Sequence, residues 1–69
     1  MWKYNQILKT WEKIIRVGFF SLMFTIEYDE NLFSYFLKMS ISGREKSLLT
    51  SDIDSAKEMA DIEISNLLK

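Results

Sequence analysis

Large apolar residues occupy every second position along two neighbouring stretches of the chain, residues 20–28 and 33–41. A repeat of two is typical of β-strands, because successive side chains of a strand point to opposite faces. Residues 29–32 suit a four-residue loop, so the pattern predicts a hairpin with these apolar side chains on one face, in which Tyr28 pairs with Phe33 and Phe24 pairs with Leu37. The apolar residues are Phe20, Leu22, Phe24, Ile26, Tyr28, Phe33, Tyr35, Leu37, Met39 and Ile41.

The first part of the chain has a different spacing. Its apolar residues recur at steps of three and four, which predicts an amphipathic helix over residues 2–17 that ends at Gly18. Three basic residues, Lys9, Lys13 and Arg16, would share the opposite face of this helix. Such a face suits a solvated surface, and it also suits contacts with phosphates or with a membrane surface. The apolar residues are Tyr4, Ile7, Leu8, Trp11, Ile14 and Ile15.

The last part of the chain predicts an edge strand and a second helix. Ser42-Gly43 is a turn signal, and the charged segment 44–50 suits a strand at the edge of a sheet. Ser51 is a preferred N-cap with an acid three residues later, so we expect a helix over residues 52–68. Its buried stripe is expected at Ile53, Ala56, Ala60, Ile64 and Leu67.

These elements predict one α+β domain over residues 1–69. Its order would be α-β-β-β-α, a three-stranded antiparallel sheet packed with two helices. No proline, repeat or linker interrupts the sequence, which favours a single domain.

The chain contains no cysteine and no histidine, and its formal net charge is −1. These absences exclude disulfides, the usual zinc sites and the common cysteine and histidine catalysts. A base, a nucleophile and an orienting group cannot be named together, so we expect no catalytic residue, no cofactor and no metal, and a protein that is not an enzyme. The lack of cysteine favours a reducing compartment and a cytoplasmic location. No apolar run approaches the ~18 residues that a membrane-spanning helix needs.

One group of candidate contact residues lies on the predicted hairpin. Phe19, Met23 and Phe36 would project from the face opposite to the alternating apolar set. Exposed apolar patches tend to mark interaction sites, although packing of the first helix on this face would hide them.

A second group lies on the predicted C-terminal helix. Asp54, Glu58 and Asp61 recur at steps of four and three and would form an acidic stripe, which suits a basic partner surface. Met59 and Ile62 fall outside the buried stripe, so either the first helix covers them or they contact a partner.

Ala56-Lys57, the following Ala60 and the pair Leu67-Leu68 are similar to the alanine-lysine and leucine-rich positions in the second helix of the double-stranded-RNA-binding domain. The expected element order also resembles that family, and the resemblance implies the same α-β-β-β-α layout. Where the family has consecutive lysines at the start of this helix, this chain has acids at Asp52 and Asp54. The resemblance therefore implies the fold without the RNA ligand, and no binding residue is carried over.

The size, the acidic C-terminal part and the lack of catalytic chemistry resemble small phage-encoded inhibitors of bacterial defence, anti-CRISPR proteins among them. This resemblance implies an inhibitor that blocks a nucleic-acid-processing complex with carboxylates placed where phosphates would lie. We therefore expect a non-catalytic protein-binding module with a basic partner surface, and a homodimer as a further option because the core is small. Two alternatives stay open: a nucleic-acid-binding module that uses Lys9, Lys13 and Arg16, and a membrane-surface peptide built on the first helix.

Overall fold

The computed structural model describes residues 1–68, and it shows a five-stranded antiparallel sheet with one helix against one face. The strands lie in the sheet in chain order, so each one forms a hairpin with the next. The elements are β1 (Lys3–Asn5), β2 (Thr10–Val17), β3 (Phe20–Asp29), β4 (Ser34–Met39), β5 (Glu45–Ser47) and α1 (Ile53–Leu67).

The predicted three-stranded sheet with two helices is wrong, because residues 2–17 form β1, a turn and β2 instead of a helix. Asn5 closes this turn through its side chain: its Oδ1 accepts hydrogen bonds from the backbone N–H groups of Ile7, at 3.0 Å, and Leu8, at 3.1 Å. The residues after the turn are rich in aromatic and β-branched types, which favour strands. The same residues therefore favour a strand as well as a helix, and the structure shows the strand.

This correction separates the three basic residues that were expected to share one face. Lys9 lies in the loop before β2, while Lys13 and Arg16 lie on opposite faces of β2 because they are three residues apart in a strand. Neither the basic helical face nor the membrane-surface helix is present.

β3 and β4 form a hairpin whose register differs by two residues from the predicted one. Tyr28 pairs with Tyr35 and Phe24 pairs with Met39. A shift of two keeps the same side chains on the same face, so the covered face of β3 is the predicted one. Phe33, however, leaves the strand and lies in the loop 30–33 with a positive φ of 51°.

The core lies between α1 and the middle of the sheet. Phe24 and Ile26 of β3 and Leu37 of β4 are buried beneath the helix. Two helix alanines, Ala56 and Ala60, are fully buried, so the helix backbone can approach the sheet closely. The other buried hydrophobic residues of this core are Trp2, Leu48 and Ile64.

α1 begins near the end of β5, and its cap differs from the predicted one. Asp52, not Ser51, is the N-cap, because its Oδ2 accepts a 2.9 Å hydrogen bond from the backbone N–H of Ser55. Hydrogen bonds from the backbone and side chain of Ser55 hold the pKa of Asp52 below its usual value. The helix runs from this point towards the loop 40–44, near which Leu67 lies.

Candidate binding site

α1 does not cover the whole of its sheet face, and a groove remains between the helix and the edge strand β5. An ion pair crosses this groove, with Lys46 Nζ of β5 2.7 Å from Glu63 Oε1 of α1. Both residues line the space on either side of the pair, so the groove has two compartments. Because both side chains are partly exposed, the pair contributes at most about 1 kcal/mol and is easily displaced.

The larger compartment has a volume of ≈ 340 Å³ and an apolar floor. Phe24, Leu37 and Met39 form this floor, and Leu67 of α1 forms one wall. Phe24 and Leu37 belong to the hydrophobic core, so an apolar group placed here would extend the core. The charged residues at its rim are Arg44, Glu45, Lys46 and Glu63.

The smaller compartment has a volume of ≈ 160 Å³ and lies between β5 and the outer side of α1. Leu48 is fully buried at its base, while Met59 and Ile62 stand on the helix wall. Both of these helix residues are exposed. The first helix that was one explanation for Met59 and Ile62 is absent, and the structure places them in this groove instead.

The edge of β5 leaves backbone groups free along the groove. Leu48 N–H donates to the carbonyl of Tyr35 in β4, at 2.9 Å. Backbone groups alternate in direction along a strand, so those of Lys46 also point to β4, whereas those of Glu45 and Ser47 point away from it. A second extended chain could therefore pair with β5 at these two residues.

The three apolar residues expected to form a contact surface on the hairpin do not form one patch. Phe19 is fully exposed at the turn between β2 and β3. Met23 is half-buried and pairs with the exposed Ile14, whereas Phe36 is half-buried between Glu27 and Ser47. The structure therefore distributes these side chains along the length of the sheet.

The expected acidic stripe is reduced from three free carboxylates to two. Asp61 Oδ1 lies 2.8 Å from Lys13 Nζ and accepts a 3.1 Å hydrogen bond from the indole of Trp2. Asp54 and Glu58 are exposed on the outer side of α1. These two remain available to a basic partner surface.

Sequence reasoning missed Met39, Arg44, Lys46 and Leu67 as members of a site. Leu67 was expected in the buried stripe of the helix, yet 51% of its surface is exposed. The groove results from α1 ending before it covers the corner formed by β4 and β5. The residue pattern of α1, β4 or β5 alone does not reveal where the helix ends relative to the sheet. The exposure of Leu67 at the final position of α1 is the structural sign of it.

Of the charged residues that line the groove, Lys46 and Glu63 are paired with each other. Among residues 1–68, no group of three or more acidic, histidine or cysteine side chains is placed to hold a metal ion. The part of the chain that the structure describes has no helix of the length and apolarity needed to cross a bilayer. An apolar compartment with a few charged residues at its rim is typical of a binding site.

Comparison with known proteins finds no relative of this chain. No family model, no curated protein and no solved structure matches the chain.

Proposed function

We propose that this protein is a non-catalytic protein-binding module that holds an apolar segment of a partner protein in the groove between α1 and β5. The observation that carries the proposal is the larger compartment, which borders the buried core residues Phe24 and Leu37 and whose accessible apolar lining is the half-buried Met39 and the exposed Leu67. Burial of an apolar side chain there would remove its own surface and the accessible parts of Met39 and Leu67 from water.

An extended segment is the partner conformation that fits this groove best. It can pair with the free backbone groups of Glu45 and Ser47, and its alternate side chains then point into the groove. The larger compartment accepts one large side chain against Met39 and Leu67, and the smaller one accepts a second against Met59 and Ile62. Main-chain hydrogen bonds would supply affinity, and the two compartments would supply specificity.

The acidic residues on the outer side of α1 favour a partner that has a basic surface around the bound segment. Asp54 and Glu58 lie one helical turn apart, and both are exposed. Carboxylates next to an apolar groove steer a basic partner towards it and disfavour acidic ones. An inhibitor that covers a nucleic-acid-binding surface with these carboxylates, as anti-CRISPR proteins do, is the finer form of the proposal, and these two residues are its support.

The experiment compares the tagged protein with two variants that differ in one of two adjacent leucines. Leu67→Glu places a charge on the groove wall, whereas Leu68→Glu makes the same change at a residue that does not line the groove. Partners retained on each protein are identified by mass spectrometry, and circular dichroism confirms that all three are folded. We expect wild type and Leu68→Glu to retain the same partner and Leu67→Glu to lose it. Equal retention by all three proteins would place the binding surface elsewhere.

A further inference from the structure

The hairpin of β2 and β3 projects beyond the rest of the sheet. β1 pairs with β2 only as far as Glu12, and β4 pairs with β3 only as far as Phe24. β2 and β3 continue together to the pair Val17–Phe20, which lies four residues past Phe24, or about 13 Å along the strand. This projecting part, residues 14–23, is named the β2–β3 tip.

The outer end of the β2–β3 tip is apolar and exposed. Gly18 and Phe19 form its two-residue turn, and the φ of Gly18 is 62°, as the first central residue of a type II′ turn requires. Phe19 is fully exposed, and Phe20 is 73% exposed. Both rings therefore stand in solvent, and transfer into an apolar phase would be favourable for each of them.

Two other elements add apolar residues at this end of the sheet. The loop 40–44 begins beside the β2–β3 tip, because the N–H of Ser40 donates a 3.1 Å hydrogen bond to the carbonyl of Met23. This loop carries the exposed Ile41, and α1 ends nearby with the exposed Leu67. The projection of the tip makes this apolar surface convex, so it suits a broad, deformable apolar phase better than a narrow pocket.

The charges of this end are positive. Arg16 and Arg44 are the charged residues of the β2–β3 tip and the loop 40–44, and neither segment contains an acid. The ion pairs found among residues 1–68 do not include either arginine. Two cations beside exposed aromatic rings favour an anionic partner that also has an apolar interior.

The nearest acids do not cancel these two arginines, because each has a lysine of its own. Glu63 of α1 lies 2.7 Å from Lys46. Glu45 stands directly opposite Lys38 in the antiparallel pair of β5 and β4. Opposite charges in such cross-strand pairs attract each other, so this end of the molecule keeps a net positive charge.

The other end of the sheet is acidic. Its loops and the start of α1 carry Asp29, Glu30, Asp52 and Asp54, against the single cation Lys9. The molecule therefore has a charge dipole along the strands, and an anionic surface would turn the two arginines towards itself. Like charge at the tips disfavours pairing of two copies through this end.

We propose that the β2–β3 tip inserts into the surface of an anionic lipid bilayer. Phe19 and Phe20 enter the boundary between headgroups and acyl chains, and Ile41 rests on the same boundary. Arg16 and Arg44 bind the anionic headgroups. Lipid supplies in one partner both the negative charge and the apolar phase that this end of the molecule matches.

The backbone of the tip limits how deeply it enters. Next to a two-residue turn the strand pair is hydrogen-bonded, so the backbone groups of Val17 and Ile15 point to β3 and those of Ile14 and Arg16 point away from it. No strand of the described chain pairs with this outer edge of β2 beyond Glu12. Unpaired backbone groups stay out of the hydrocarbon core, so the contact is shallow, about 5 to 10 Å deep.

The bilayer contact goes beyond the proposed function and leaves it possible. Asp54 and Glu58 lie on the half of α1 farther from the tip, and both are exposed. The acidic side of the helix therefore stays open to a basic partner while the tip contacts lipid.

Flotation with vesicles measures the contact, using phosphatidylcholine mixed with phosphatidylserine and phosphatidylcholine alone, each at low and physiological salt. Phe19→Ser removes the fully exposed ring, and its control Phe33→Ser changes another exposed phenylalanine at the opposite end of the sheet. Arg16→Gln removes a cation of the tip, and its control Lys9→Gln removes one at the opposite end. Circular dichroism confirms that each variant is folded.

We expect wild type and both controls to float with the anionic vesicles and to bind phosphatidylcholine alone more weakly. Phe19→Ser should bind the anionic vesicles about 10-fold more weakly, because it loses the buried ring. Arg16→Gln should bind about 5-fold more weakly, and its loss should shrink as salt is added.

A fluorescent label shows which end of the molecule meets the lipid. The chain has no cysteine, so a single introduced cysteine takes an environment-sensitive dye at one known position. Ser21→Cys places the dye on the tip, and Ser51→Cys places it at the opposite end, both at exposed serines. The emission should shift to shorter wavelength with anionic vesicles for the dye at Ser21→Cys and stay unchanged for the dye at Ser51→Cys.

Three results would overturn the proposal: no flotation of wild type with anionic vesicles, equal losses in the tip variants and their controls, or equal dye shifts at both ends. If vesicles are not bound but a protein or a nucleic acid is retained in a Phe19-dependent way, the tip is an interface for that macromolecule and the lipid surface is wrong. The groove function does not depend on either outcome, because Phe19 and Arg16 do not line the groove.

Discussion

The indole N–H of Trp2 donates a 3.1 Å hydrogen bond to Oδ1 of Asp61, 59 residues further along the chain. The same carboxylate oxygen lies 2.8 Å from Nζ of Lys13, and this Nζ lies over the Trp2 ring, 5.5 Å from the ring centroid. The residue before β1, the middle of β2 and α1 are thereby joined at one point. Asp61 thus has a structural role that distinguishes it from Asp54 and Glu58 on the outer side of α1.

The first prediction concerns this junction. Asp61→Ala should lower the free energy of unfolding by about 1 kcal/mol, because it removes the acceptor of a hydrogen bond from the largely buried Trp2. Glu58→Ala, one turn earlier and exposed, should change it by less than about 0.5 kcal/mol. Urea unfolding followed by tryptophan fluorescence measures both values. Equal losses in the two variants would mean that the Trp2 contact contributes nothing to stability.

The second prediction concerns two phenylalanines on the same face of β3. Phe24 is 0% exposed beneath α1, whereas Phe20, four residues earlier, is 73% exposed beyond the end of β4. Phe24→Ala should cost about 2 to 5 kcal/mol because it leaves a cavity in the core, and Leu37→Ala should cost a similar amount. Phe20→Ala should cost less than about 1 kcal/mol. If both phenylalanine variants lose the same stability in urea, α1 covers the position of Phe24 no better than that of Phe20.

The alternating pattern from Phe20 to Met39 was sufficient to predict the central hairpin and its covered face. A period of two depends only on the strand backbone, so it survives a register error of two residues. The exact register was wrong because Phe33 continues the apolar alternation of β4, although the structure places it in the loop. Pairing preferences alone do not distinguish these two positions.

The first part of the chain was mispredicted because its apolar spacing fits a helix better than a strand. Lys13 occupies a position on the covered face of β2, which breaks the period of two, while the apolar Ile14 is exposed on the other face. The lysine is accommodated there by contacts with Trp2 and Asp61, which lie 11 and 48 residues away in sequence. Tertiary contacts of this kind override local periodicity and leave no sign in a sequence window.

The candidate groove was not predictable from any single element. Its compartments depend on how far α1 extends over β4 and β5, and on a register that the sequence pattern leaves open. Met59 and Ile62 were identified as apolar residues outside the buried stripe, and the structure gives them a place on the groove wall. Their role as contact residues stays a prediction.

The third prediction follows from the positive φ of Phe33. Phe33→Asn should raise the free energy of unfolding by about 0.5 to 1 kcal/mol, since asparagine tolerates the left-handed region better than a bulky residue does. Leu32→Asn, which makes the same kind of change at the neighbouring loop residue, should have little effect, because Leu32 is not among the described residues with positive φ. Thermal and urea unfolding check the difference. A destabilised Phe33→Asn would show that the ring is already packed within its own domain.

The fourth prediction concerns the N-cap of α1 and its pH dependence. The folded-state pKa of Asp52 is lowered by its hydrogen bonds with Ser55, so the stabilisation by this cap is present above its unfolded value of 3.8. It is lost as the pH falls through the lower, folded-state pKa, because the protonated carboxyl is a poorer acceptor. Asp52→Ala should therefore lower the urea midpoint at neutral pH, and Asp52→Ser should retain most of the wild-type midpoint. The gap between wild type and Asp52→Ala should close in acid, and a gap that persists unchanged would exclude the ionised cap as its cause.

The last prediction concerns nucleic acid. Duplex RNA and DNA should bind this chain no more tightly than about 1 µM at physiological salt, because phosphate binding needs clustered cations and the structure separates them. Lys13 is engaged by Asp61, Lys9 lies in a loop, and Arg16 points from the other face of β2. The outer side of α1 adds repulsion through Asp54 and Glu58.

Fluorescence anisotropy with labelled duplexes measures this affinity, and a charge-reversed protein supplies the contrast. The double variant Asp54→Lys and Glu58→Lys should bind more tightly than wild type, with a salt slope steeper by about two phosphate contacts. If wild type itself binds below 1 µM with a steep salt slope, its cations form a phosphate-binding surface despite their separation, and the nucleic-acid alternative replaces the protein-binding one. If neither protein binds, repulsion by Asp54 and Glu58 is not the limiting factor, because the chain then lacks a cationic surface even when these two carboxylates are removed.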